Sequence, residues 1–206
     1  MYDIHTFTGG MAQTNAWLME SPQGNLLIDA PEGTARWLLA RGVRVDTLLI
    51  THQHFDHVQD AAEVKAEHGC QALAWSPFSR ELTLERLVGA VDGRELVPEF
   101  SVDAVLAGSD QIVAGGCSWR LLHIPGHSPD SVCFHQPEGG FVFGGDVLFL
   151  DGVGRTDFPG GSFEQLMEGI RGKLMVLPDE TRLHPGHGPA TTLGRERRHN
   201  PFLTNL

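Results

Sequence analysis

A chain of 206 residues, 41% hydrophobic and 20% charged, has an ordinary globular composition and a length suited to one domain spanning 1–206. Its net charge of −11 argues against a nucleic-acid partner, because binding to phosphate backbones draws its affinity from Lys and Arg. No apolar run approaches the ~20 residues that span a bilayer, the first residues carry no basic or apolar leader, and the scattered cysteines, Cys70, Cys117 and Cys133, form no CxxC pair. A cytoplasmic protein with reduced cysteines and no membrane partner is expected.

In chain order, short apolar or alternating runs predict strands over 4–8, 16–20, 25–29, 47–51, 71–75, 119–124, 132–135 and 141–143. Apolar residues at helical spacing predict helices over 34–41, 58–68, 82–88 and 163–171, the last capped by Ser162. The stretch 82–102 is the least informative, and 107–116 reads as a hairpin turning on Gly115 and Gly116. The basic run at 195–198, interrupted by Glu196, reads as a solvated helix face. The mixture is α/β, and the 25 glycines and 12 prolines imply many short strands joined by shaped loops.

Four strand-like runs end in a residue able to hold a metal: 48–52 at His52, 121–127 at His127, 141–146 at Asp146 and 182–187 at His187. Loops at the carboxyl ends of strands are where α/β proteins place chemistry, so the four segments are expected to converge. The strongest signal is Thr51-His52-Gln53-His54-Phe55-Asp56-His57. His52 and His54, two apart in an extended segment, project to the same side, whereas Asp56 and His57 diverge toward a neighbouring position. One loop can thus serve two ions. His127 and His187 each sit in a Pro-Gly-His turn, and Asp146 follows two glycines that permit close approach of the backbone.

At these positions the sequence resembles the metallo-β-lactamase superfamily, whose HxHxDH motif, later His, Asp and last His occur here in that order. The resemblance implies an αββα sandwich with His52, His54 and His127 on a first ion, Asp56, His57 and His187 on a second, and Asp146 between them. Gly154-Arg155-Thr156-Asp157-Phe158-Pro159-Gly160-Gly161, Pro185-Gly186-His187-Gly188-Pro189 and Asn200-Pro201-Phe202-Leu203 look like the short bacterial glyoxalase II-like hydrolases, which act on acylated thiols. Long glyoxalase II enzymes carry a basic C-terminal glutathione-binding region, and only a brief tail follows His187. The resemblance therefore implies a thioester substrate such as an acylated glutathione or a related acyl-thiol. Gln59-Asp60 departs from the Gly-Gly often found after the DH step.

The implied chemistry is attack by a water that two cations bring to a pKa near about 7. Asp56 and Asp146 would act at its centre. A thiol of pKa about 8.5 leaves more readily than an amine. The imidazole and carboxylate donors suit two divalent ions, zinc first, with iron or manganese compatible. Arg155 either contacts an acidic substrate group or pairs with Asp157 to brace its loop. The remaining histidines, His5, His68, His123, His135, His184 and His199, read as structural or exposed, with His184 lying beside the site. The alternative of another class is a one-iron sulfur dioxygenase related to persulfide dioxygenases, which share the GRTDF loop.

Overall fold

The computed structural model describes residues 3–88 and 95–204, so part of the 82–102 stretch, residues 89–94, lies outside it. The first sheet is built from β1 (Asp3–Gly9), β2 (Thr14–Glu20), β3 (Leu26–Ile28), β4 (Thr47–Leu49), β5 (Gln71–Ala74) and β6 (Ala104–Val105), adjacent in that order. Strands β1, β2 and β3 pair antiparallel, and β3 to β6 run parallel. The parallel half needs crossovers, supplied by α1 (Thr34–Arg41), α2 (Phe55–Val58) and α3 (Ala61–His68) and, after β5, by α4 (Arg80–Thr83) and α5 (Glu85–Val88).

The second sheet contains β7 (Gln111–Ala114), β8 (Cys117–His123), β9 (Val132–Gln136), β10 (Phe141–Gly145), β13 (Arg182–Pro185) and β14 (Thr191–Thr192). A two-stranded ribbon, β11 (Leu148–Phe149) and β12 (Gly152–Val153), stands apart from it. Helix α6 (Phe163–Gly169), extended by a π-helical turn at Ile170–Leu174, and α7 (Leu193–His199) complete the chain. Ser162 caps α6 by accepting from the Gln165 amide, and β7 meets β8 through the Gly115–Gly116 turn, Ala114 facing Cys117.

The period-2 alternation of the strands produces three apolar layers. On one face of the first sheet, Leu18, Leu27 and Leu48 pack with Ala35, Leu38 and Val64 of the helices. Their neighbours Trp17, Met19, Leu26, Ile28 and Leu49 face the other way and meet Trp119, Phe134, Phe141 and Phe143 of the second sheet. On the far side, Cys133, Val142 and Leu183 pack under Leu166, Ile170, Leu174 and Leu193. The order of layers is helix, sheet, sheet, helix, the expected αββα sandwich. No helix among the described residues is long and apolar enough to cross a membrane.

Two predicted helices are divided. The run 58–68 is interrupted at Gln59 and Asp60 because the Asp60 carboxylate turns away to accept from the Gly33 and Ala35 amides, at 2.9 and 3.0 Å, at the start of α1. A helix terminus offers unpaired N–H groups, and Asp60 satisfies two of them from another element. The run 82–88 is broken at Leu84, whose φ is 55°. Strands β6, β11, β12 and β14 are too short to leave a periodic signal.

His184 on β13 turns between the sheets and packs against Trp17, Phe141 and Phe143, with ring centroids 4.6, 5.8 and 5.2 Å away. Neither ring nitrogen has a hydrogen-bond partner among the described residues, and burial lowers its pKa to about 4. A pKa depressed on folding makes acid favour the unfolded chain, so stability is lost as pH falls from about 6.5 toward the folded value. His184→Phe is expected to retain about 2 kcal/mol more stability than the wild type on going from about pH 7.5 to pH 5. Urea titrations of both metal-free proteins at the two pH values measure this difference.

Candidate metal centre

Strands β4, β8, β10 and β13 each release a ligand-bearing loop at the carboxyl end: His52 and His54 after β4, His127 after β8, Asp146 after β10 and His187 after β13. Strands β8 and β10 are both antiparallel to β9, and β13 is parallel to β10, so three of these ends lie along one edge of the second sheet. Asp56 and His57 occupy the first turn of α2.

All seven side chains meet. His52, His54 and His127 present donor atoms within 4.8 Å of one another, as do Asp56, His57 and His187. His52, His57 and Asp146 form a third such group joining the other two. Asp146 lies 3.5 Å from His127 Nε2 on one side and 3.3 and 3.2 Å from His57 and His187 Nε2 on the other.

Backbone geometry allows this crowding at two glycines. Gly145 has φ 49°, and a Cβ there would stand 2.6 Å from Thr51 Oγ1. A Cβ at Gly186 would collide with Asp146 Oδ1 and come within 2.7 Å of His57 Cε1.

The imidazoles are aimed from behind. His57 Nδ1 donates to Asp29 at 2.8 Å, His127 Nδ1 to the Arg155 carbonyl at 2.8 Å, and His187 Nδ1 to the Ala12 carbonyl at 3.1 Å. His52 Nδ1 lies 3.1 Å from Thr51 Oγ1, which itself donates to Asp29. Each contact fixes the proton on Nδ1 and leaves the Nε2 lone pair directed into the cluster. Buried Nε2 atoms of His52, His57 and His127, and Asp146 Oδ1, then have no hydrogen-bond partner among the described residues. Buried polar atoms are normally satisfied, so orphans pointing at one spot define a place for a cation.

The electrostatics agree with the donor set. Burial holds the pKa of His52 well below the ordinary value, brings His54 to about 3 and lowers His127, which keeps these rings neutral. Burial also opposes charge at His57 and His187, but Asp146 and Asp56 outweigh it, raising His57 and bringing His187 to about 10. The carboxylates thus create a field that favours positive charge at this point. Burial of Asp56 raises its pKa, yet His57, His187 and the Thr14 hydroxyl, which donates at 2.6 Å, bring it down to about 2.

The sequence reading overlooked several positioning residues. Asp29 accepts from Thr51 N, Thr51 Oγ1 and His57 Nδ1, and it carries the same signal as Asp146, a carboxylate closing an apolar strand. Buried Gln53 is bonded through its amide to Asp130, which also accepts from Ser128 Oγ at 2.5 Å. The Gln53 side chain donates to Ser76 and Pro77 and accepts from the Ser79 amide. Thr14 and Asn15 anchor the His187 loop, Asn15 Nδ2 donating to the Pro185 and Gly188 carbonyls. Arg155 is bidentate to Asp157 at 2.7 and 2.6 Å, and its guanidinium lies 4.0 Å from the centre of the Phe158 ring. The side chain braces its loop while the backbone carbonyl orients His127.

Fold and site are those of one superfamily: residues 9–187 match the family model described as the metallo-beta-lactamase superfamily, and the chain belongs to it. Hydroxyacylglutathione hydrolase GloC of Haemophilus influenzae is 36% identical over 203 residues, covering 94% of each protein. Among solved structures, TTHA1623 in a di-iron-bound form is 36% identical, with a TM-score of 0.80 over 97% of this chain and all of that one. The BLEG-1 B3 metallo-beta-lactamase is 29% identical, with a TM-score of 0.85 over 98% of this chain and 100% of its own.

Asp29→Asn keeps an oxygen acceptor but loses the charge that orients His57. It is expected to weaken metal binding by about 10- to 100-fold with the fold retained, which competition against a chromogenic chelator, with circular dichroism as the control, measures.

Proposed function

We propose that this protein is a two-metal hydrolase that opens a thioester bond. His52, His54 and His127 hold one divalent cation, Asp56, His57 and His187 hold the other, and Asp146 lies between them. The observation that carries this reading is the set of buried, unpartnered donor atoms from both sheets aimed at one place. Zinc is the first choice of metal, and iron and manganese suit the same imidazole and carboxylate set.

When bound, two such ions supply a deprotonated water near neutral pH and Lewis-acid stabilisation of the charge that develops on a carbonyl oxygen. The chain's own residues make this possible by position. Asp29, Thr51, Arg155 and Ala12 hold the imidazoles in one tautomer, and Thr14 donates to Asp56 Oδ2, the oxygen that lies 3.6 and 3.4 Å from His57 and His187 Nε2, fixing that carboxylate toward the second donor set. Asp56 and Asp146 neutralise the charge gathered at the centre. A thiolate leaving group, with a conjugate pKa of about 8.5, needs less proton donation than an amine. The similarity to a hydroxyacylglutathione hydrolase supports an acyl-thiol substrate, and the similarity to a B3 enzyme makes a β-lactam the control. The complete second donor set, Asp56, His57 and His187, favours two ions over the one-iron sulfur dioxygenase alternative.

Asp146→Ala is expected to lose metal and to reduce thioester turnover by at least about 100-fold, whereas Arg155→Ala keeps the carbonyl that orients His127 and, by loosening the loop that carries Phe158, changes mainly KM. Metal content and hydrolysis of thioesters, esters, lactones and a β-lactam by both variants provide the comparison. Two ions per chain and near-normal turnover in Asp146→Ala would overturn the assignment.

A further inference from the structure

Two aromatic rings stand against the metal-ligand cluster at its two ends. The Phe158 ring meets His54 of the first donor set at 5.9 Å, nearly perpendicular at 87°. Phe149 meets His187 of the second set at 6.0 Å and 73°. Both rings are half-buried, so each covers an imidazole and still offers apolar surface to solvent.

Neither ring is on a loose segment. Phe149 lies in the β11–β12 ribbon, paired with Gly152, and α7 holds that ribbon from behind. Glu196, fully buried, accepts from the Asp151 amide at 2.8 Å, and Asn200 Nδ2 donates to the Phe149 and Gly152 carbonyls at 3.4 and 3.1 Å. Arg195 clasps the Asp151 carboxylate at 2.7 and 3.0 Å. Arg195, Glu196 and Asn200 thereby fasten the ribbon that carries Phe149. On the other side Phe158 carries Arg155 over its ring, and its carbonyl accepts from the Gly161 amide at 2.9 Å.

The charges around these rings are already matched. Arg155 is paired with Asp157, whose side chain is 66% exposed, and Arg195 with Asp151, 48% exposed. The carboxylates beside these arginines, in a chain of net charge −11, disfavour an anionic substrate group at either ring.

We propose that Phe149 and Phe158 are the specificity walls of the site, selecting thioesters whose acyl and thiol portions are both apolar and uncharged. The proposal rests on the thioester-hydrolase reading above and narrows its substrate class. With the carbonyl over the first donor set and the thiol toward the second, Phe158 receives the acyl chain and Phe149 the thiol chain.

The test compares acetyl and phenylacetyl thioesters of N-acetylcysteamine, an acetyl thioester of benzyl mercaptan, and both acyl groups on glutathione. Each rate is divided by that of its hydroxide-catalysed hydrolysis. In the metal-loaded wild type, phenylacetyl should exceed acetyl in kcat/KM by about 10-fold or more, as filling a hydrophobic pocket does. Each neutral carrier should exceed glutathione. The benzyl mercaptan ester should likewise exceed acetyl-N-acetylcysteamine; Phe158→Ala should abolish the acyl preference and Phe149→Ala the benzyl preference with metal content retained, and the leucine variants should keep most of each preference. Calorimetric affinity for the non-hydrolysable thioether S-phenethyl-N-acetylcysteamine should fall about 10-fold in either alanine variant. Equal or better turnover of the glutathione esters, or preferences unchanged by the alanine variants, would overturn the proposal and leave thioester hydrolysis standing. Absence of any thioester hydrolysis, with thioether affinity still dependent on both rings, would instead overturn the hydrolase reading and support the apolar walls.

Discussion

The buried carboxylate of Asp29 is the point from which the site is hung. It stands one residue beyond β3, at φ 59°, a left-handed conformation that costs an ordinary side chain on the order of 1 kcal/mol. That turn directs the carboxylate across to the loop after β4, where it accepts from Thr51 N, Thr51 Oγ1 and His57 Nδ1 at 2.8, 2.7 and 2.8 Å. Through Thr51 it sets His52, and directly it sets His57, so one carboxylate orients a member of each donor set. Charge-assisted hydrogen bonds in a dry interior are strong enough to offset the backbone strain.

A second consequence is that the centre cannot form within either sheet alone. His52, His54, Asp56 and His57 come from the first sheet, and His127, Asp146 and His187 from the second. The layer of Trp17, Ile28, Leu49, Trp119, Phe134 and Phe143 that joins the sheets therefore also sets the distance between ligands. Metal affinity and folding stability are coupled through that layer, since a ligand bound by the folded chain alone stabilises it by mass action. Asp130 adds a further tie, joining Gln53 in the first loop to Ser128 beside His127, and burial pushes its pKa up to about 6 against those hydrogen bonds.

The outer rim follows a different logic from the centre. Behind the imidazoles the contacts are polar and buried, whereas the surfaces offered outward at Phe149 and Phe158 are apolar, with arginines and carboxylates paired beside them. Chemistry demands fixed protons and charge at the centre, and recognition there can be left to shape and hydrophobic contact. Helix α7 links the two roles, since Glu196 and Asn200 connect the end of the chain to the ribbon that carries Phe149.

The sequence by itself determined the donors and most of the strands. His52, His54, Asp56 and His57 are crowded too closely to escape notice, and short apolar runs such as 16–20 and 141–143 already read as strands. Local spacing carries that information because neighbouring side chains on a strand have fixed relative directions. What only the tertiary structure decided is everything that depends on contacts between distant segments. Asp60 leaves its helix to cap α1, Asp29 reaches Thr51 and His57 across 22 and 28 residues, Arg155 turns its carbonyl to His127, and Asn200 fastens the ribbon bearing Phe149. Such partners have no periodic signature, because a single hydrogen bond between remote residues constrains one position each and leaves the surrounding pattern unchanged.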